Sequence, residues 1–172
     1  MLFRSMTHPL RKATALAAAL AIGAGLNALY AQPSGQDALK AEVSAAWEDY
    51  LKLFAEGRAD AIGDRVYLAP SFNLTANGPN VSMTPADTRA RFETSIAALV
   101  KQNYARTTTK HANICVLNDA TAILSVQWTR YRKDGSVLSE PAGTYVFSKT
   151  KDGWRIIAQT GHAPERVMRC GS

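Results

Sequence analysis

The chain has 172 residues, 47% of them hydrophobic, with 20 Lys and Arg against 14 Asp and Glu. That length holds a domain with a core of its own. Three of the basic residues and none of the acids precede residue 32, so the remaining 17 and 14 leave +3, and no basic run interleaved with aromatics follows; a nucleic-acid surface is not expected.

The first residues have the order of a secretory signal. Arg4, Arg11 and Lys12 come without an acid, ATALAAALAIGAGL at 13–26 is an Ala-rich run without a charge, and Leu29-Tyr30-Ala31 offers a cleavage site. The run is short against the ~20 apolar residues of a membrane span, which leaves a retained anchor as the alternative. Residues 1–31 are therefore expected to be a removed leader and 32–172 a single exported domain, periplasmic or secreted from a bacterium, with no stable membrane insertion. Two Asn-x-Ser/Thr matches, at Asn73 and Asn80, are read as chance. Cys115 and Cys170 are the only cysteines and neither sits in a CxxC pair. An even count in an oxidising compartment points to a bridge tying the tail to a strand; one buried and one loose thiol is the alternative.

Beyond the leader, Ser34-Gly35-Gln36-Asp37 has the form of a helix start, and Leu39, Val43, Ala46, Trp47, Tyr50, Leu51 and Phe54 follow in steps of three and four, closing at Gly57. A shorter helix is predicted over about 59–67, ending before Ala69-Pro70. Phe72 and Leu74 alternate with Ser71, Asn73 and Thr75 as a short strand running to the Asn77-Gly78 turn. Thr84, Pro85 and Asp87 open a third helix with Phe92, Ile96, Leu99 and Val100 as its stripe.

From Ala105 the period changes to that of strands. Turns at Asn118-Asp119, Lys133-Asp134-Gly135 and Lys151-Asp152-Gly153 divide four of them, which short connections make antiparallel neighbours. One face is marked by Ala112, Ile114 and Val116, then by Leu124, Val126 and Trp128, then by Tyr145 and Phe147. On the last strand Trp154, Ile156, Ala158, Thr160 and His162 are in step. Glu140-Pro141 marks a bulge or a late strand start. Helix, helix, strand, helix and four strands make an α+β domain.

The aromatic first helix, the Thr84-Pro85 start, the strand Ala-Thr-Ala-Ile-Leu-Ser at 120–125 and the closing Lys-Asp-Gly-Trp-Arg-Ile at 151–156 resemble the nuclear transport factor 2-like superfamily, in its SnoaL-like and ketosteroid-isomerase-like branches. The resemblance spans nearly all of residues 32–172. It implies a strongly curved antiparallel sheet wrapped as a cone around three helices, with a pocket at the wide end. It also implies pairing into a homodimer through the outer face of the sheet, where Ile123, Tyr131, Val146 and Ile157 would lie. Such cones serve isomerases, dehydratases, binding modules and interaction domains alike. Isomerases of this shell place a carboxylate base just past the second helix, and the matching stretch, Ser71 to Ala76, holds no acid.

The candidate pocket residues are Trp47, Tyr50, Trp128, Tyr145 and His162. The aromatics read equally as core and as a clasp for a small apolar or aromatic molecule. His162, in step with the core at a strand end, is the one candidate for acid–base catalysis, with a structural hydrogen bond as the other reading. His111 faces outward by parity. With no HxH or HxxxH spacing, neither a metal site nor a cofactor is expected. Binding of a small molecule ranks first, an interaction domain with a filled pocket second and an enzyme third. Protein recovered from the periplasm of expressing cells is expected to begin at Gln32, as read by N-terminal sequencing; a chain still starting near Met1 would contradict the leader.

Overall fold

The computed structural model describes residues 35–170. The leader at 1–31, its cleavage site and Ser34 of the first helix start lie outside the described residues. Helix α1, Gly35–Ala55, buries Val43, Trp47, Tyr50, Leu51, Leu53 and Phe54 along one side, as the three- and four-residue spacing requires. Helix α2 is a single turn, Ala59–Ala61, which widens into a π-helical turn at Ile62–Val66. The predicted second helix is therefore shorter, because Tyr67 is already extended. Gly63 lies so close to the start of the next helix that a Cβ there would stand 2.6 Å from the Pro85 carbonyl oxygen. Helix α3, Pro85–Val100, opens on the expected reciprocal cap: the Thr84 hydroxyl accepts from the Asp87 N–H at 3.2 Å, and the Asp87 carboxylate accepts from the Thr84 N–H at 2.9 Å.

Seven strands form one open sheet: β1 Tyr67–Thr75, β2 Gly78–Ser82, β3 Tyr104–Asn118, β4 Thr121–Arg132, β5 Val137–Ser139, β6 Ala142–Thr150 and β7 Gly153–His162. The order is β2-β1-β7-β6-β4-β3, with β5 paired to β4. The α+β class and the cone stand, but the sheet is mixed rather than wholly antiparallel, since β1 and β7 run parallel. The chain leaves the β1–β2 hairpin, passes through α3 and β3 to β6, and returns beside β1 in the same direction.

The concave face carries the core. Ala122, Leu124 and Val126 are fully buried there, with Trp128, Tyr145, Phe147, Trp154 and Ile156 around them and the apolar face of α1 above. Polar ties fix the helix on the sheet. Glu42 accepts from Lys149 Nζ at 2.6 Å and from Trp154 Nε1 at 2.8 Å. These two partners, the lysine foremost, hold its carboxyl below the ordinary carboxylate range.

On the convex face Ile123, Val146 and Ile157 are half-buried, and Tyr131 lies under the Arg106 guanidinium at 3.9 Å. After β7 the chain makes a 3-10 turn at Pro164–Arg166, and Met168 N–H donates to the Ser125 hydroxyl at 2.9 Å. Cys170 is joined to Cys115 of β3, so the C-terminal segment lies as a strap over β4. The bridge spans 55 residues and closes β4 to β7 into a loop. Non-reducing peptide mapping should recover the linked pair, and replacing both cysteines by Ser should lower the urea-unfolding free energy by ~2–4 kcal/mol, the usual range for a loop of this kind. Two alkylatable thiols in oxidised protein, or an unchanged midpoint, would contradict this.

Candidate functional site

The interior widens from a solid aromatic floor to an open mouth. Trp47 stands at the floor, 4.9 Å from Tyr145, 5.4 Å from Tyr50 and 5.9 Å from Trp128 between ring centroids, all in tilted geometry. Tilted and edge-on pairs of this kind add ~0.5–1.5 kcal/mol each beyond area burial. Trp47 Nε1 donates to Thr109 Oγ1 at 2.9 Å, and that hydroxyl in turn donates to Glu48 at 2.8 Å. Space among these rings amounts to about 20 Å³, less than a ligand needs. Trp47 is thus core and does not line the mouth.

The mouth is a cavity of about 380 Å³, within the range of small-molecule sites. Tyr50, Phe54, Phe92, Trp128 and Tyr145 supply its aromatic surface. Asn73, Ser95, Arg130 and Gln159 supply its polar wall. Among the described residues, no Asp, Glu or His lines it. Larger grooves lie on the surface, one of about 640 Å³ between β3, β4 and the strap and one of about 600 Å³ beside Glu42 and Trp154; none of the four clustered aromatics lines either.

Sequence parity places His162 in the pocket, and the structure moves it out. Between Val146 and Phe147 the β6–β7 register shifts: Phe147 faces Ile156, whereas Val146 faces Ala158. Ile157 is the extra residue of a bulge, and one extra residue exchanges the faces of everything beyond it. Gln159, opposite Tyr145, turns inward; Ala158, Thr160 and His162 fall on the other parity, though Thr160 still borders the mouth beside Gly143. His162 Nε2 lies 3.0 Å from Thr144 Oγ1, and Nδ1 donates to the Ala163 carbonyl at 2.9 Å. It is an outer-face residue with both ring nitrogens engaged and contributes nothing to the mouth. His111 is exposed on the same face.

The residues that replace it form a hydrogen-bonded chain. The Tyr67 hydroxyl donates to Gln159 Oε1, and Gln159 Nε2 donates to Asn73 Oδ1 at 3.2 Å. Asn73 is the residue the first strand turns toward the mouth, so its apolar neighbours Phe72 and Leu74 take the other side, and Leu74 stands exposed. Burial pushes the Tyr50 hydroxyl up to about 12 and those of Tyr67 and Tyr145 well above the ordinary phenol value. All three are neutral donors at any physiological pH. Gly143 seats the remaining wall: a Cβ there would stand 3.2 Å from the Trp128 ring and 2.9 Å from the Thr160 carbonyl oxygen.

Of the residues singled out from sequence, Tyr50, Trp128 and Tyr145 line the mouth, Trp47 lies beneath it and His162 lies behind it. Asn73, Arg130, Gln159, Tyr67 and Gly143 escaped notice. Arg130 alone carried a legible signal, since it is two residues past Trp128 on the same strand. Among the described residues, no group of His, Cys, Asp or Glu is placed to hold a metal ion, and no helix is long and apolar enough to cross a membrane.

A mixed sheet curled over three helices, with a lined mouth at its wide end, defines a nuclear transport factor 2-like cone domain. The family model described as NTF2-like protein (DUF6841) matches residues 41–164, and the chain belongs to that family. Among curated proteins none matches the sequence. Solved structures share the fold. An NTF2-like protein with a cystatin-like fold from Novosphingobium aromaticivorans is 17% identical with a TM-score of 0.60, over 74% of this chain and 82% of its own. A nuclear transport factor 2-like superfamily protein from Salmonella enterica serovar Typhimurium is 17% identical with a TM-score of 0.55, over 75% and 93%. A Streptomyces protein, Aln2, is 14% identical with a TM-score of 0.59, over 77% and 94%. At such identities the likeness concerns the fold alone.

The seat of Trp128 gives a direct check. Gly143→Ala should push the indole toward the mouth and cost ~1–3 kcal/mol, the usual penalty of overpacking, read by denaturant unfolding and by a shift in tryptophan emission. Unchanged stability and emission would show that the ring is not held there.

Proposed function

We propose that this is an exported small-molecule-binding domain, and that its ligand is a small, largely apolar or aromatic molecule held in the mouth of the cone. The observation that carries the reading is the mouth cavity itself, about 380 Å³ with aromatic rings on one side and amide, hydroxyl and guanidinium groups on the other. Apolar surface with a few convergent polar groups is the composition of a ligand site. The packed floor supports it from beneath: only about 20 Å³ is free among the rings of Trp47, Tyr50, Trp128 and Tyr145, so the mouth's space does not run on between them. Stiff rings lose little freedom when a ligand settles on them, which limits the entropic cost of binding.

A catalytic reading finds no support in the lining. The mouth offers no carboxylate and no imidazole among the described residues, and its tyrosines are held neutral by burial, so no side chain there is poised to take a proton near neutral pH.

Native mass spectrometry of the protein purified from its own source should find a reproducible added mass, lost in Trp128→Ala and Tyr145→Ala variants that retain native circular dichroism. A screen of small aromatic compounds by NMR should perturb the Trp128 indole. Absence of any added mass, together with no compound that moves that resonance, would overturn the binding reading.

A further inference from the structure

We propose that the mouth selects anions, and that its ligand is an aromatic or apolar monocarboxylate whose charge is met by Arg130 with Arg91 beside it. This rests on the binding reading above and narrows it.

Four of the described arginines have acids to meet. Arg58 pairs with Asp60, Arg65 with Asp49, Arg89 with Asp64 and Arg155 with Asp152, at 2.9 to 3.8 Å. Arg130 and Arg91 have none among the described residues. Arg130 follows Trp128 on the inward face of β4 and lines the mouth, its guanidinium 5.8 Å from the Trp128 ring centroid. Arg91, on α3, lies over Phe92 at 4.7 Å and Tyr67 at 5.1 Å; Phe92 lines the mouth, and Tyr67 holds Gln159 of its wall. The Nε atoms of both arginines, like those of the ion-paired Arg89 and Arg155, are buried without a hydrogen-bond partner. Both arginines are half-buried, and a carboxylate can meet such a guanidinium with two parallel charge-assisted hydrogen bonds.

The two charges converge on the same place. Both act on the phenols of Tyr50 and Tyr145, whose rings line the mouth, in the sense that favours negative charge there. The amides point the same way. Tyr67 donates to the Gln159 oxygen and Gln159 donates to the Asn73 oxygen, which leaves the Asn73 NH₂ group as a donor for the mouth. The Ser95 hydroxyl also lines the mouth, but its proton is given to the Arg91 carbonyl at 2.9 Å, so it adds no free donor. Cations and donors face an opening with no acid among its described lining, and aromatic rings face the rest of the ligand. One guanidinium in the lining fits a monoanion better than a phosphate dianion.

The test compares 2-naphthoate with its uncharged counterpart 2-naphthamide, by calorimetry and by ¹⁵N NMR of the arginine side chains. Naphthoate should bind at least ~10-fold more tightly, the factor expected of a charge-assisted hydrogen-bonded pair, and should move the Arg130 Nε–H resonance. Arg130→Gln, verified as folded, should bring the two affinities together while naphthamide binding persists. Naphthamide binding as tightly as naphthoate, or Arg130→Gln keeping the full preference, would overturn the charge assignment and leave the binding reading standing. If neither compound perturbs the mouth, this proposal falls, and the binding reading is decided by the added mass and the compound screen above. Should Arg130→Gln not fold, Arg130→Met decides: it keeps an unbranched chain of similar length without the charge, and an undiminished preference for naphthoate in that variant overturns the proposal.

Discussion

The seating of α1 in the curve of the sheet governs the rest of the structure. Trp47 reaches from the helix to Trp128 on β4 and Tyr145 on β6, while its indole N–H is tied to Thr109 on β3. One side chain therefore sets the distance between the helix and three strands. The pairing of β3 and β4 carries bulges after Tyr104, Thr109 and Val116, which bend these strands around the ring. Because the floor is solid, the room left on this side of the sheet is where the helices stop and the strands run on.

Electrostatics then decide what that room can hold. The acids of α1 are engaged at the rim and surface: Glu42 on Lys149 and Trp154, Glu48 on Thr109. Glu140, near the mouth in sequence, is committed outward to Lys110 and Thr129. These bonds, the lysine first, hold its carboxyl below the ordinary range, so it stays an anion bound elsewhere. The mouth is left with a positive wall set among rings, a local field where effective dielectric is lower than in bulk water.

Much of this was legible in the sequence. Helical spacing marked the buried face of α1, Thr84-Pro85 with Asp87 marked the start of α3, and the alternation through Leu124, Val126 and Trp128 marked the concave side of β4. These features are local, and local chemistry fixes them. Two others are not. The parallel pairing of β1 with β7 joins segments far apart in the chain, through partners such as Asn73 and Gln159, and no spacing within either segment announces it. The bulge at Ile157 inserts one residue among Ile156, Ile157 and Ala158, all apolar, so alternation there gives no warning that the faces exchange. His162 and Gln159 are misplaced from sequence for that single reason, and the polar wall of the mouth stays hidden with them.

The exchange of faces is secured from both sides of the sheet, which is why β7 does not slip back into the simpler register. Inward, Gln159 is held between Tyr67 and Asn73. Outward, Thr144 meets both Ser125 and His162, in a polar row that runs Asn113, Ser125, Thr144, Thr160 across four strands. Ser125 is fully buried on that convex face because the strap covers it and gives it the Met168 N–H. A one-residue slip would send Gln159 out and Thr160 in, breaking the inner chain and the outer row together and leaving buried polar groups without partners, at ~1–3 kcal/mol for each. The imidazole of His162 is thus an outer pin for the register that turns Gln159 into the mouth, and its contribution to the site is made through the backbone rather than through its chemistry.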